Sequence, residues 1–262
     1  MLPEYVGESD GTAEVSLRFD GHDHGSLVVF VPPADGAEYV VGADVAEESS
    51  EGDFSCAQVL RHDTLEQVAI WHGHIAPRRF ALELADLGYF FNTAYMVCEF
   101  NGCGAVTCVS LQNDLVYPKM YWREPFDRMV GSVSVERPGF LTSSRTKKFV
   151  LDGLANSLWD VAHDDGHHGL RLHDEETVRE LLAYEHNYTR YGASAYGAPP
   201  GKHDDRVMAL ALAVEGCRQF QPVTTTTDRP DWSHIPQVRT TRDIEDEDSV
   251  NDPEAMLRWC HR

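Results

Sequence analysis

The residues whose types and spacing carry the most chemistry are carboxylates at three places in the chain. Asp44 closes the apolar run Tyr39-Val40-Val41-Gly42-Ala43, Glu99 follows the strand-like residues 93–98, and Asp204-Asp205 opens the last apolar helix pattern. A carboxylate at the end of a buried strand costs free energy unless a hydrogen-bond donor, an arginine or a metal ion meets it there. Ligands of open α/β sheets bind beyond the carboxyl ends of the strands. If the strands at 40–45 and 94–98 are neighbours, Asp44 and Glu99 converge at one edge. Hard divalent cations prefer such oxygen clusters, and a pair of them can clamp a phosphodiester, one activating water and the other stabilising the leaving oxygen. Plainer readings stand beside this one. Asp204 suits a helix N-cap favoured by the helix dipole, and Glu99, ahead of Asn101-Gly102, suits a strand-end turn. Asp44 is the hardest of the acids to explain that way.

The elements that must position these acids alternate in period along the chain. Residues 1–25 are polar and turn-rich, which predicts irregular structure or a loose arm. Strands are expected at 26–31, 40–45, 55–61 and 66–71, joined by short turns into an antiparallel meander. The period then becomes helical over 77–87, with Pro77 suited to the first turn and Gly88 to the end. A strand at 93–98, a helix at 102–113 and a short strand at 117–122 follow. Residues 123–141 read as a long loop, 142–163 as a helix, and 174–186 as a charged helix capped by Asp174. A loop at 192–201 precedes the last helix, 204–219, with Val207, Leu210, Ala211 and Val214 as an apolar stripe. Beyond Phe220, four threonines and the run Glu245-Asp-Glu-Asp248 predict a disordered, acidic tail. The expected class is α/β, a mixed sheet with antiparallel early strands flanked by helices.

At 262 residues, with 42% hydrophobic content, the chain can bury a real core. No apolar run is long enough to span a bilayer and no charged-then-apolar leader opens the chain, so a soluble, non-secreted protein with no membrane partner is expected. Forty-three acids oppose 22 bases, a net charge of −21. The lysines are Lys119, Lys147, Lys148 and Lys202 alone, and this depletion with acid excess points to a halophilic source. Such charge argues against non-specific nucleic-acid affinity, an objection that weakens where high salt screens the repulsion. The cysteines lack zinc-site spacing. A zinc site built from His72, His74 and cysteines is weighed and set aside, and the Gly-flanked histidines at 22, 24, 167 and 168 read as solvated loops. No nucleophile motif of the G-x-S-x-G type is present.

Three blocks carry a resemblance. Tyr39-Val-Val-Gly-Ala-Asp-Val-Ala-Glu47 with Asp53-Phe-Ser55, then Cys98-Glu-Phe-Asn-Gly-Cys-Gly104, then Gly201-Lys-His-Asp-Asp-Arg-Val-Met-Ala209 resemble the motif blocks of the nuclease domain of tailed-virus large terminase subunits. Trp71-His-Gly-His-Ile75, Tyr117-Pro-Lys-Met-Tyr121 and Thr146-Lys147 fall in the family's order, and the resemblance spans about residues 26–218. It implies an RNase H-like fold over 26–219 and a metal-dependent endonuclease that cuts concatemeric viral DNA during packaging. Asp44, Glu99 and Asp205 would then bind two Mg²⁺ or Mn²⁺ ions, with Asp204 an additional ligand or supporting group and His203 a further one. It also implies double-stranded DNA, a packaging ATPase, a small terminase subunit and a portal as partners, in the host cytoplasm during virion assembly and not in the mature virion.

Lys147, Lys148 and Arg145, near a helix start, are candidates to contact DNA phosphates, and Lys119 and Arg123 flank a strand that could line the same groove. The chain departs from the family in having no G-x-x-x-x-G-K-[ST], since Gly197-Ala-Pro-Pro-Gly-Lys-His203 lacks one residue of spacing and the hydroxyl. It is therefore expected to be an excised domain or one piece of a split terminase, without ATP hydrolysis. The loop Glu47-Glu48-Ser-Ser-Glu51 stands where the family tends to glycine, and Phe100 and Cys103 also depart from the commoner residues. A non-catalytic assembly module of the packaging complex and an RNase H-like resolvase of branched DNA are the alternatives.

Overall fold

The computed structural model describes residues 2–5, 15–18, 25–46, 54–123, 137–163, 169–188, 194–197 and 203–221. The chain divides into two units, and the smaller contains two strands, β1 (Leu2–Tyr5) and β2 (Val15–Arg18), paired antiparallel. They fall where irregular structure was expected; Val15-Ser-Leu-Arg18 alternates apolar and polar residues, the period of a strand. The acidic tail beyond residue 221 and the loops at 47–53 and 124–136 lie outside the described residues.

The larger unit holds the expected meander over three of its four strands, the first strand joining at the far side beside the last of them. β3 (Leu27–Val29), β4 (Tyr39–Asp44), β5 (Ser55–Arg61) and β6 (Glu66–Gly73) join β7 (Tyr95–Cys98) in a five-stranded sheet of order β3-β6-β5-β4-β7. Every neighbouring pair is antiparallel except β4 and β7, which run parallel. The parallel pair needs a crossover, and α1 (Pro77–Phe90) supplies it. Pro77 sits in its first turn as expected, and Phe80, Leu84 and Leu87 are almost wholly buried, each contributing about 1.5–3 kcal/mol. Gly88 does not end α1. A Cβ there would lie 2.2 Å from Tyr117 Oη, so the glycine makes room for a tyrosine whose hydroxyl donates to the Ala94 carbonyl at 2.6 Å.

α2 (Gly104–Val109) continues into a wider π turn over Ser110–Asp114. The expected strand at 117–122 is reduced to bridging along β7: Met96 N–H donates to Lys119 O, and Tyr121 N–H donates to Met96 O, both at 2.8 Å. Phe140 continues that cover, its N–H donating to Cys98 O at 2.8 Å. The outer edge of β7 is thereby closed. β8 (Trp122–Arg123) pairs antiparallel with β9 (Arg137–Pro138). α3 (Ser144–His163) agrees with expectation. α4 (Glu175–Ala183) is capped by Asp174, which accepts from Thr177 N–H at 2.8 Å. It ends earlier than expected, because residues 185–188 form β10 (Glu185–Tyr188), a strand pairing with β11 (Ser194–Gly197) in the stretch read as loop.

α5 (Asp205–Gln219) differs most from the sequence reading. Asp205 and every residue from Val207 to Cys217 are buried, so the helix is covered all round rather than along one stripe. The sheet covers one side, and α3 and α4 pack elsewhere along it. No helix among the described residues is long and apolar enough to cross a membrane.

A buried polar chain ties α4 to the sheet. Gln67 Nε2 donates to Gln58 Oε1 at 2.6 Å, and Gln58 Nε2 donates to Thr177 Oγ1 at 2.9 Å. Gln67 Oε1 accepts the backbone N–H groups of His173 and Asp174 at 2.7 and 2.8 Å. Gln67→Leu leaves those two donors and the Gln58 carbonyl without this partner. We expect about 2–4 kcal/mol of lost stability by urea unfolding; a loss under about 0.5 kcal/mol would show the network to be dispensable.

Candidate active site

Strand register places the first two acids. Glu99 N–H donates to Ala43 O at 2.8 Å, continuing the parallel β4–β7 ladder, so Glu99 lies beside Asp44. Along β4, Val40, Gly42 and Asp44 share a face, because side chains alternate. That face carries α5. A Cβ on Gly42 would lie 2.2 Å from both Ala209 O and Ala213 N, and one on Gly216 would lie 2.5 Å from a methyl of Val40. The helix therefore runs antiparallel to β4, and its first residues, Asp204 and Asp205, arrive at the Asp44 end.

Asp44 registers the result. Its carboxyl is held well above the usual carboxylate range by burial, by a hydrogen bond with Glu99, and by the negative charges of Glu99, Asp205 and Asp204. Four carboxylates from three chain segments thus act on one strand end. Asp205 is 3% exposed and accepts the Phe54 N–H at 3.0 Å, with His203 Nδ1 4.0 Å away. Asp204 takes the N-cap position of α5 as read, but its side chain makes no cap hydrogen bond and pairs with Lys147 Nζ at 3.0 Å. Tyr184 faces it, its hydroxyl pKa pushed up by burial and then by the charge of Asp204.

The other candidate cations separate. Lys147 joins the acids. Lys148 pairs one turn along α3 with Asp152 at 2.6 Å, and Arg145 is exposed in the first turn of that helix. Lys119 is a correction: it pairs with Glu38 at 3.2 Å, beside the start of β4, at the opposite end of the strand from Asp44. It does not line the groove of the acids. Arg206, next to Asp205, turns instead to Glu180 at 2.8 Å and to Asp174 at 3.4 Å.

Sequence reasoning missed the parts that hold these groups in place. Asn101 clasps Thr142 with two hydrogen bonds, from its Nδ2 to Thr142 O at 2.6 Å and from Thr142 N–H to its Oδ1 at 2.8 Å, and this docks the start of α3 beside Glu99. The Asn-Gly pair after Glu99 was the available signal, read then as a turn. Gly104 allows α2 to start against Glu99, since a Cβ there would lie 2.1 Å from the Glu99 carbonyl. Phe54 stacks on His72 and packs on His74 and His203, with ring centroids 4.6, 3.9 and 5.6 Å away. His72 is lowered to about 4, first by burial and then by the charge of Arg206.

The donor set is one of hard oxygens and fits a hard divalent cation. Among the described residues, no three of His, Cys, Asp and Glu already close round a common point. Burial, and then hydrogen bonding with Glu99, raise the Asp44 carboxyl instead.

No protein-family profile matches the chain, and no curated protein does. Solved structures do. The large terminase nuclease from thermophilic phage G20c with bound magnesium is 20% identical, with a TM-score of 0.56 over 74% of this chain and 89% of that one. The same nuclease with bound cobalt gives 0.55 at 20% identity over the same shares. The Thermus phage P74-26 large terminase nuclease domain gives 0.52 at 21% identity, over 73% of this chain and 86% of that one. The chain has the large-terminase nuclease fold. This RNase H-like architecture, expected from the three motif blocks, is built around the β4–β7 pair and the α5 helix that carry the acids.

Proposed function

We propose that this chain is a divalent-metal-dependent endonuclease that hydrolyses phosphodiester bonds of double-stranded DNA during viral genome packaging. The observation that carries the reading is the meeting of Asp44, Glu99, Asp204 and Asp205 from three segments, tight enough to hold the Asp44 carboxyl above its ordinary range. Asp44, Glu99 and Asp205 would hold Mg²⁺ or Mn²⁺, two ions to a site, with Asp204 and His203 as further candidates. Bound there, the ions supply a nucleophilic water and charge stabilisation at the leaving oxygen.

The chain's own groups prepare that site. Asp44, whose carboxyl is raised first by burial and then by its neighbouring acids, gives up its proton on metal binding, so affinity should rise with pH. The Phe54 N–H fixes the orientation of Asp205, and Lys147 holds Asp204. With a net charge of −21 the surface repels DNA, so delivery falls to partners; the packaging ATPase, small subunit and portal fill that role in the reading. The setting is the host cytoplasm during virion assembly.

Plasmid nicking across Mg²⁺, Mn²⁺ and a range of salt concentrations tests the reading. Glu99→Gln and Asp205→Asn are each expected to lower the cleavage rate at least a hundredfold, on the scale of lost electrostatic catalysis. Undiminished cleavage by both variants would remove the acids from the mechanism. Wild-type protein that neither nicks DNA nor binds Mn²⁺ through these carboxylates would favour an assembly module.

A further inference from the structure

Acids outnumber bases by 43 to 22 in this chain, and most described basic side chains are neutralised by one. Arg61 pairs with Asp63, Lys119 with Glu38, Lys148 with Asp152, and Arg206 with Asp174 and Glu180. Arg123 and Arg137 break the pattern. They stand directly opposite each other across the β8–β9 pair, and among the described residues no carboxylate forms an ion pair with either. The Arg123 guanidinium lies 4.1 Å from the centroid of the Phe100 ring, and its Nη1 is buried without a hydrogen-bond partner. Burial first, and then the charge of Arg137, lower its pKa.

Each of these features is unfavourable alone. Like charges directly opposite on paired strands destabilise the pair, and a buried donor without an acceptor costs free energy. The cation–π contact with Phe100 offsets part of this, but stacking needs one arginine, not two. Two guanidinium groups side by side present a fork of donors matched to the oxygens of a phosphate. Their place is equally specific. Phe100 directly follows Glu99, with its ring on the Cys98–Cys108 side of the sheet, so the arginine stacked on it stands at the carboxyl end of β7 on the face away from Asp44 and α5.

We propose that Arg123 and Arg137 form a clamp for a phosphate of the DNA backbone, setting the register of the duplex against the acids. The proposal rests on the nuclease reading for its substrate. Phosphate contacts position a duplex without reading its sequence, so the clamp confers no base preference. In a protein that otherwise repels DNA, it marks a point of approach.

The test is fluorescence anisotropy of the full chain with a labelled short duplex, in EDTA, as a function of salt. Arg123→Gln and Arg137→Gln are each expected to weaken binding about fivefold to tenfold and to flatten the slope of log K against log salt by about 0.9, the double variant by about twice that. Arg123→Lys keeps the charge, and with it most of the slope, while losing the fork. Arg171→Gln, which removes a cation paired with Glu66, should bind as wild type does. Melting curves establish that each variant is folded. A double variant with wild-type affinity and slope overturns the clamp. Inorganic phosphate, added as competitor, should act only as bulk salt; displacement of the duplex at far lower concentrations assigns the site to free phosphate and overturns the DNA assignment. Because binding is read without metal, failure of the clamp is separable from failure of the nuclease reading, which cleavage by the Glu99 and Asp205 variants reports.

Discussion

Asp44→Asn is expected to abolish metal-dependent DNA cleavage, by a hundredfold to a thousandfold or about that order, and at the same time to stabilise the metal-free protein at pH 8. The second effect follows from the sign of its titration. The folded-state pKa of Asp44 lies well above the ordinary value of 3.8, because of burial and then the neighbouring acids. The folded protein therefore holds that proton more tightly than the unfolded chain does. Its contribution to stability is full below about pH 3.8 and is lost as pH rises through the raised pKa. Asparagine carries no such titration and can still donate a hydrogen bond to Glu99.

The measurement is denaturant unfolding in EDTA from pH 4 to pH 8. The difference between variant and wild type should widen in the variant's favour as pH increases. Asp86, which burial and the charge of Glu83 push up to about 6, titrates in the same direction and cancels in that comparison. At pH 8, Mn²⁺ should raise the wild-type melting temperature and leave the variant's nearly unmoved. A variant less stable than wild type at pH 8, or equally responsive to Mn²⁺, would mean that Asp44 is held by something other than its fellow acids.

Gly42→Ala should be the most damaging of the small changes. The added Cβ would lie 2.2 Å from Ala209 O and from Ala213 N, both backbone atoms that no rotamer change can move. The whole of α5 has to retreat from β4, loosening a helix buried on every side. We expect a loss of about 3 kcal/mol or more, beyond the usual cost of overpacking, out of a total stability of roughly 5–15 kcal/mol. Retreat of α5 also carries Asp204 and Asp205 away from Asp44, so protein that still folds should cleave poorly. Gly36→Ala is the comparison: its φ of +71° disfavours a side chain, but nothing lies within 4 Å, and only about 1–2 kcal/mol should be lost. Soluble yield and thermal melts of the two variants check the ranking, and a Gly42 variant as stable as the Gly36 one would refute the close approach.

Much of the site was legible because its acids stand where the pattern changes. Asp44 and Glu99 end apolar runs, and Asp205 begins one, so the sequence alone could place them at element ends. The helix before β7 allowed its pairing with β4 without requiring it. What escaped depends on distance in space. Gly42 looked like one more strand residue, because its reason is a helix more than 160 residues away. The full burial of α5 is invisible to a search for one apolar face. Lys147, at a helix start, and Lys119, beside a strand, were both candidates for DNA phosphates, and only the fold sends one to Asp204 and the other to Glu38. Gln58 and Gln67 lie in strands where nothing in the pattern marks them, yet each is fully buried and they bond to each other. The pairing of residues 185–188 with 194–197 was lost to a charged helix pattern that ran past its true end.

The closed edge of β7 has a consequence for how the protein behaves among its own copies. Residues 119–121 and Phe140 occupy the hydrogen-bonding groups along that strand, and the opposite edge, β3, is three residues long. An unpaired strand edge is the usual template on which sheets of separate molecules join. Charge repulsion also keeps a strongly acidic protein from self-association, but only while salt is low enough to leave it unscreened. The covered edge does not depend on ionic strength. In concentrated brine, where a charge of −21 is felt over only a few ångströms, colloidal stability rests on this geometry.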